Sequence, residues 1–210
     1  MELRRRKVER VRGRPGALSG EGASYPAWPA WVALLICGFF LVAPSPVTAQ
    51  NEDDNEYRLK LAFIYNFAQF TQWPPEAFRN PAAPLMVCVV GQNPFHGEIE
   101  QSLRGRTVGD HPLEIKGLKS DDTFKGCQML FVRASERRME PTILAALRGS
   151  STLTVGEAKG FAESGGVINF VLEENRLRFE VNLDAATRSR VKISSKVLAL
   201  ARIVSSEPAP

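Results

Sequence analysis

Leu85-Met86-Val87-Cys88-Val89-Val90-Gly91 is an unbroken apolar run of strand length, closed by a glycine. A strand with one wet face alternates apolar and polar residues. This one offers no polar position, so it is expected to be covered on both faces and to lie inside a sheet. Downstream, Asn93-Pro94 opens a helical spacing through Phe95, Ile99 and Leu103, with Asn93 as the expected cap and Gly105 as the stop. The unit then recurs. Met129 to Val132 is a short apolar strand, Ala134-Ser135 a turn, and Glu136 to Leu147 a helix that turns Ile143, Leu144 and Leu147 inward, with Ser135 as cap and Gly149 after its end.

Between these units Leu113-Glu114-Ile115-Lys116 alternates as a strand does, and Leu153-Thr154-Val155 before Gly156 supplies another. Strands alternating with helices imply an α/β fold built on a mixed, mainly parallel sheet with helices on both faces. Val167 to Leu172 and Leu177 to Val181 flank Glu173-Glu174-Asn175 and are expected to form a hairpin at one sheet edge. A closing helix is expected from Ser194 to Ile203, burying Val197, Leu198, Leu200 and Ala201. Upstream, Tyr57, Leu61, Ile64 and Ala68 follow spacings of three and four, and Leu59, Phe63, Phe67 and Phe70 widen that face. The spacing predicts a helix from Glu56 that ends before Trp73-Pro74-Pro75, preceded by a frayed Asn51 to Asn55.

The first fifty residues have a different character. Arg4, Arg5, Arg6, Lys7, Arg10, Arg12 and Arg14 precede an apolar run from Trp31 to Ala43, followed by Pro44, Pro46 and Val47-Thr48-Ala49. That order is the pattern of a secretion signal, with cleavage expected after Ala49. A membrane anchor is the competing reading, but the run holds 13 residues, short of the roughly 20 that span a bilayer. A lipoprotein site at Cys37 is disfavoured by bulky Ile36 before it, and the arginine pairs lie too far from the apolar run to suggest folded export. One domain, residues 50–210 with an ordered core at about 56–204, is expected to remain, together with a disordered tail from Ser205 to Pro210.

Residues 1–49 carry seven of the 27 basic and three of the 23 acidic residues, which leaves 20 of each in the remainder. The basic excess belongs to the segment that is discarded, so nucleic acid is not an expected partner. Two cysteines remain, Cys88 and Cys127. In an oxidising compartment an even pair on neighbouring strands invites a disulfide, the alternative being two buried free thiols.

Neither His96 and His111, 15 residues apart, nor any Cys-x-x-Cys spacing suggests a metal site, and no cofactor is expected. Nucleophile-elbow and phosphate-cradling glycine motifs are absent, so no catalytic residue can be named and an enzyme is not expected. The carboxylate pairs Asp53-Asp54, Asp121-Asp122 and Glu173-Glu174 fall in polar segments where nothing would split their pKa values. Two segments remain as candidate partner or ligand surface. One is the loop after the Leu153 strand, with Glu157, Gly160, Phe161, Gly165 and Gly166, since α/β sheets place ligands beyond strand ends. The other is the aromatic set Tyr65, Phe67, Phe70 and Trp73, for which core packing is the competing reading.

Several segments together resemble the YfiR family: Lys60-Leu61-Ala62-Phe63-Ile64-Tyr65-Asn66-Phe67 with Phe70 and Trp73-Pro74, Val87-Cys88-Val89-Val90-Gly91, Thr154-Val155-Gly156-Glu157 with Gly160-Phe161, Gly165-Gly166-Val167-Ile168-Asn169-Phe170, and Arg178-Phe179-Glu180-Val181-Asn182 with Ser194-Ser195-Lys196-Val197-Leu198. The resemblance spans about Glu56 to Val204. It implies a periplasmic α/β domain that binds the periplasmic part of an inner-membrane diguanylate cyclase or histidine kinase and represses it, lowering cyclic-di-GMP signalling and biofilm formation. It implies a disulfide at Cys88 and Cys127, and it favours a homodimer. Some members carry a second cysteine pair that this chain lacks, which leaves redox sensing through that bridge without a basis here. The alternative function is a periplasmic small-molecule binding domain that feeds a membrane receptor through the Gly156 to Gly166 loop.

Overall fold

The computed structural model describes residues 47–95 and 97–206. The export signal expected over residues 1–49 falls outside them except for its last three positions, as do His96 and the end of the expected tail, 207–210.

Thirteen main elements follow in order: α1 (Val47–Gln69), β1 (Thr71–Gln72), β2 (Leu85–Val90), α2 (Glu98–Gln101), β3 (Thr107–Val108), β4 (His111–Leu118), β5 (Met129–Val132), α3 (Glu140–Ala146), β6 (Leu153–Gly156), β7 (Ile168–Glu173), β8 (Arg176–Asn182), α4 (Leu183–Arg188) and β9 (Lys192–Ile193), before a last turn α5 (Ser195–Leu198) and a last strand β10 (Arg202–Val204). Eight strands form one sheet in the order β10-β8-β7-β6-β5-β2-β4-β3, and β1 pairs with β9 apart from it. The pairs β2 with β4, β2 with β5, β5 with β6, β6 with β7 and β8 with β10 are parallel, whereas β7 with β8 and β3 with β4 are antiparallel. The fold is thus α/β on a mixed, mainly parallel sheet.

Strand β2 lies inside the sheet between β4 and β5, as its unbroken apolar run requires. Its alternate residues enter two cores. Leu85, Val87 and Val89 join Leu61, Ile64, Phe67, Phe131, Phe170 and Phe179 beneath α1. Cys88 and Val90 join Leu130, Val132, Ile143, Leu147 and Phe161 on the other face, beneath α3. The first core is dominated by rings: Phe67 meets Phe179 edge-on at 4.9 Å and Phe170 at 5.8 Å. At about 25 cal/mol per Å2 of apolar surface, burying such side chains contributes roughly 2 to 3 kcal/mol each before entropy is counted.

The structure departs from the sequence pattern where short-range chemistry wins. Helix α1 begins at Val47, nine residues before Glu56, and includes the segment expected to fray. The helix expected after Asn93 shrinks to the single turn of α2, because Asn93 Oδ1 accepts from the Phe95 amide at 3.0 Å and Gly97 turns left-handed at φ 63°. The helix expected from Glu136 is split, with a 3-10 segment over Ala134–Met139 before α3, because Pro141 has no N–H with which to continue the ladder. Ser135 does not cap it; its hydroxyl donates to Glu136 Oε1 at 3.3 Å.

The hairpin closes through Glu174 and Asn175, both left-handed (φ 49° and 59°), as a two-residue turn between twisted strands demands. It is not at the edge, however, because β10 covers β8. The closing helix stops after α5. The β-branched Ile203 and Val204 suit a strand, Arg202 pairs with Glu180 beside it, and Leu200 is 73% exposed instead of buried.

Candidate functional site

Strands β2, β5 and β6 run parallel, so the residues just past them, Gln92, Arg133 and Glu157, come together beyond their carboxyl ends. The Glu157 side chain is 6% exposed. It accepts from Lys60 Nζ at 2.6 Å, the Tyr57 hydroxyl at 3.2 Å, the Ala134 amide at 3.0 Å and Arg133 Nε at 3.5 Å. Arg133 also donates to the Tyr57 hydroxyl at 2.6 Å and to the Gln92 carbonyl at 3.0 Å. Lys60, itself 5% exposed, keeps a second carboxylate, Glu56, at 2.5 Å. Both cations lie over the Tyr57 ring, at 4.6 and 4.8 Å from its centre.

Burial alone would raise the Glu157 carboxyl, but the hydrogen bond and charge of Lys60, the Ala134 amide and Arg133 outweigh it and hold it below the ordinary range. Burial pulls the Lys60 ammonium down, and its bonds to Glu157 and Glu56 more than restore it, leaving it raised. Burial, with the charge of Glu157, raises the Tyr57 hydroxyl against Lys60 and Arg133. A buried carboxylate that accepts four hydrogen bonds and has a lowered pKa is a poor base at neutral pH. The cluster fastens the middle of α1 to the strand ends.

Past Glu157 the chain folds into a compact turn. Ser164 donates to the Gly160 carbonyl at 2.9 Å and Gly166 to the Phe161 carbonyl at 3.0 Å, and the Val167 amide returns to Thr154 Oγ1 at 2.9 Å. Phe161 is fully buried in the core under α3, so it presents no surface to a partner. Its ring lies against two glycines: a Cβ at Gly156 would sit 2.3 Å from it, and one at Gly166 only 2.1 Å. Gly160 and Gly165 supply left-handed turns at φ 85° and 105°. Glu157, Gly160, Phe161, Gly165 and Gly166 therefore come together as one packed turn.

The aromatic set divides. Phe67 is 1% exposed and belongs to the core. Tyr65 is half-buried, its hydroxyl donating to the Thr107 carbonyl at 3.3 Å, and Trp73 is half-buried with its indole N–H on the Gln128 carbonyl at 3.0 Å. Only Phe70 is exposed, at 37%, with Lys196 Nζ 5.4 Å from its ring. Leu59, Leu172, Leu183, Leu200 and Ile203 are also exposed, although the helical spacing put Leu59 on the apolar face of α1 and Leu200 among the buried residues of the closing helix. The partners of Glu157 were likewise missed. Lys60 interrupts the apolar face of α1 between Tyr57 and Leu61, and a charge on that face is the signal that it has a buried partner.

Cys88 and Cys127 are joined by a disulfide with Cα atoms 5.8 Å apart, and it is nearly sealed from solvent (0% and 6% exposed). Among the described residues no group of three or more His, Cys, Asp or Glu side chains could hold a metal ion. His111 stacks on Phe78 at 3.8 Å, with Nδ1 2.7 Å from the Ala83 carbonyl. Asp53, Asp54, Asp121 and Asp122 are exposed, and Glu173 pairs with Arg202 and Arg178. Among the described residues no helix is long and apolar enough to cross a membrane.

A solved structure, described as a conserved domain protein from Vibrio cholerae O1 biovar El Tor, is similar at 14% identity and a TM-score of 0.43, over 59% of this chain and 55% of that one. The chain thus spans little more than half the length of that relative. The model of the family described as YfiR/HmsC-like matches residues 57–202, well over half of the sequence and the whole sheet but the last two residues of β10. By that match the chain belongs to the YfiR/HmsC-like family.

Proposed function

We propose that this protein is a periplasmic regulator that binds the periplasmic part of a membrane-bound signalling enzyme, a diguanylate cyclase or sensor kinase, and restrains it, lowering cyclic-di-GMP output. Membership of the YfiR/HmsC-like family is the observation that carries the reading. The buried Cys88–Cys127 disulfide supports an oxidising compartment. The mechanism is differential affinity: the domain binds the inactive state of its target more tightly than the active one, so that its release lets the target fire.

The contact surface proposed is Phe70 with the half-buried Tyr65 and Trp73 at the end of α1. Aromatic anchors at a half-exposed position are the residues that dominate interfaces. Calorimetric titration of the purified domain into the periplasmic domain of a membrane cyclase or kinase encoded beside it tests this. Saturable binding that Phe70→Ala weakens about tenfold or more, with an unchanged melting temperature, is expected. Equal affinity of Phe70→Ala and wild type removes this surface from the proposal, and no binding to any such domain removes the function.

A further inference from the structure

Between α3, the turn at residues 163–165 and α4 lies an open cavity of about 810 Å3, a volume suited to a small metabolite. Its lining includes the apolar Leu144, Leu147 and Ala185. It also includes two arginines, Arg148 just past α3 and Arg188 at the end of α4.

Neither arginine has a carboxylate partner among the described ion pairs, and Arg188 Nη2 is held by the Ser206 hydroxyl at 3.2 Å. Glu163 is the one acidic residue of the lining, against two arginines, so the cavity keeps a net positive charge. Thr154, 3% exposed, reaches the wall from β6. Its oxygen accepts from the Val167 amide, which leaves the hydroxyl proton available to a ligand. Gly165, in its left-handed turn, lies beside the guanidinium: a Cβ there would be in ordinary contact with Arg188 Nη2 at 3.8 Å.

We propose that this cavity binds a small organic anion, with an apolar body against α3 and a carboxylate or phosphate held by Arg148 and Arg188. Planar guanidinium groups match both headgroups, and the apolar wall selects against bare inorganic ions. The site is separate from Phe70 and from the proposed restraint of an enzyme, and it stands or falls without them.

Thermal shift and calorimetry on the purified chain, with phenylacetate, phenyl phosphate, inorganic phosphate and benzylamine as probes at about 10 mM, test the proposal. A ligand with a Kd of about 0.1 mM raises the melting temperature by several degrees at that concentration. Stabilisation by phenylacetate, phenyl phosphate or both, with none by benzylamine, is expected, and the better of the two acids tells which headgroup the site prefers. Arg188→Ala and Arg148→Ala each weaken binding about tenfold or more without lowering the unliganded melting temperature, since both side chains are exposed. Arg188→Lys, which keeps the charge and loses the fork, falls between. Three results overturn the proposal: no shift from either organic acid, an equal shift from benzylamine or inorganic phosphate, or unchanged affinity in the arginine variants.

Discussion

Replacing Glu157 by Gln leaves the shape of the strand-end cluster nearly intact and removes the charge that Lys60 and Arg133 face. Lys60 is buried and Arg133 about one fifth exposed, so the variant strands one deeply buried cation and one partly buried one. Breaking a buried pair in this way costs about 3 to 5 kcal/mol. Glu56 still accepts from Lys60, and the Gln92 carbonyl still accepts from Arg133, which puts the loss at the lower end, about 3 kcal/mol.

For a domain of this size that is a fall of about 6 to 12 °C in melting temperature. Urea unfolding followed by circular dichroism gives the free energy, and a second variant separates charge from shape. Lys60→Met removes the stranded ammonium, so Lys60→Met/Glu157→Gln is expected to be more stable than the sum of the single losses by at least about 1 kcal/mol. A Glu157→Gln protein within about 0.5 kcal/mol of wild type, or strictly additive variants, refutes the view that this cluster fastens α1.

Reducing the Cys88–Cys127 bridge, which spans 39 residues of sequence, is expected to cost about 4 kcal/mol by the loop-entropy relation, read as a lower urea midpoint for Cys88→Ala/Cys127→Ala. Gly166→Ala drives a methyl into the Phe161 ring and is expected to lose about 2 kcal/mol or more in the same assay, with part recovered when Phe161→Leu is added. The contribution of the main ion pair, Glu157 and Lys60, should be level in pH between their two ordinary values, 4.5 and 10.5. The lowered carboxyl of Glu157 contributes fully above 4.5 and its contribution is lost as pH falls through the folded value; the raised ammonium of Lys60 contributes fully below 10.5 and is lost as pH rises through its own. Burial raises the Glu140 carboxyl despite Arg137, so that group opposes the acid limb, and urea midpoints of wild type and Glu140→Gln across pH 3 to 8 separate the two.

Long apolar runs announced themselves. Leu85 to Val90 and Met129 to Val132 are strands at their expected limits, because short apolar runs bounded by turn residues suit strands covered on both faces. Elements bounded by single residues were harder to read. Pro141 and Gly97 shortened two helices, and β10 emerged from residues that carry a helical spacing because Arg202 finds Glu180 and Glu173 only once β8 is in place. The candidate turn was visible through its glycines, but not its interior: Phe161 reads as a loop aromatic in sequence and is a core side chain in space. The long-range partners of Glu157, at 97 and 100 residues' separation, lie beyond any local pattern.

The proposed restraint of a cyclic-di-GMP enzyme from outside the cytoplasm is tested most directly in the cell. Cellular cyclic-di-GMP, measured by mass spectrometry in a strain lacking this protein, is expected to rise and to return to the parental level when the wild-type chain is restored, but not when Phe70→Ala is. An unchanged level on deletion, or a fall, contradicts restraint of such an enzyme by this protein.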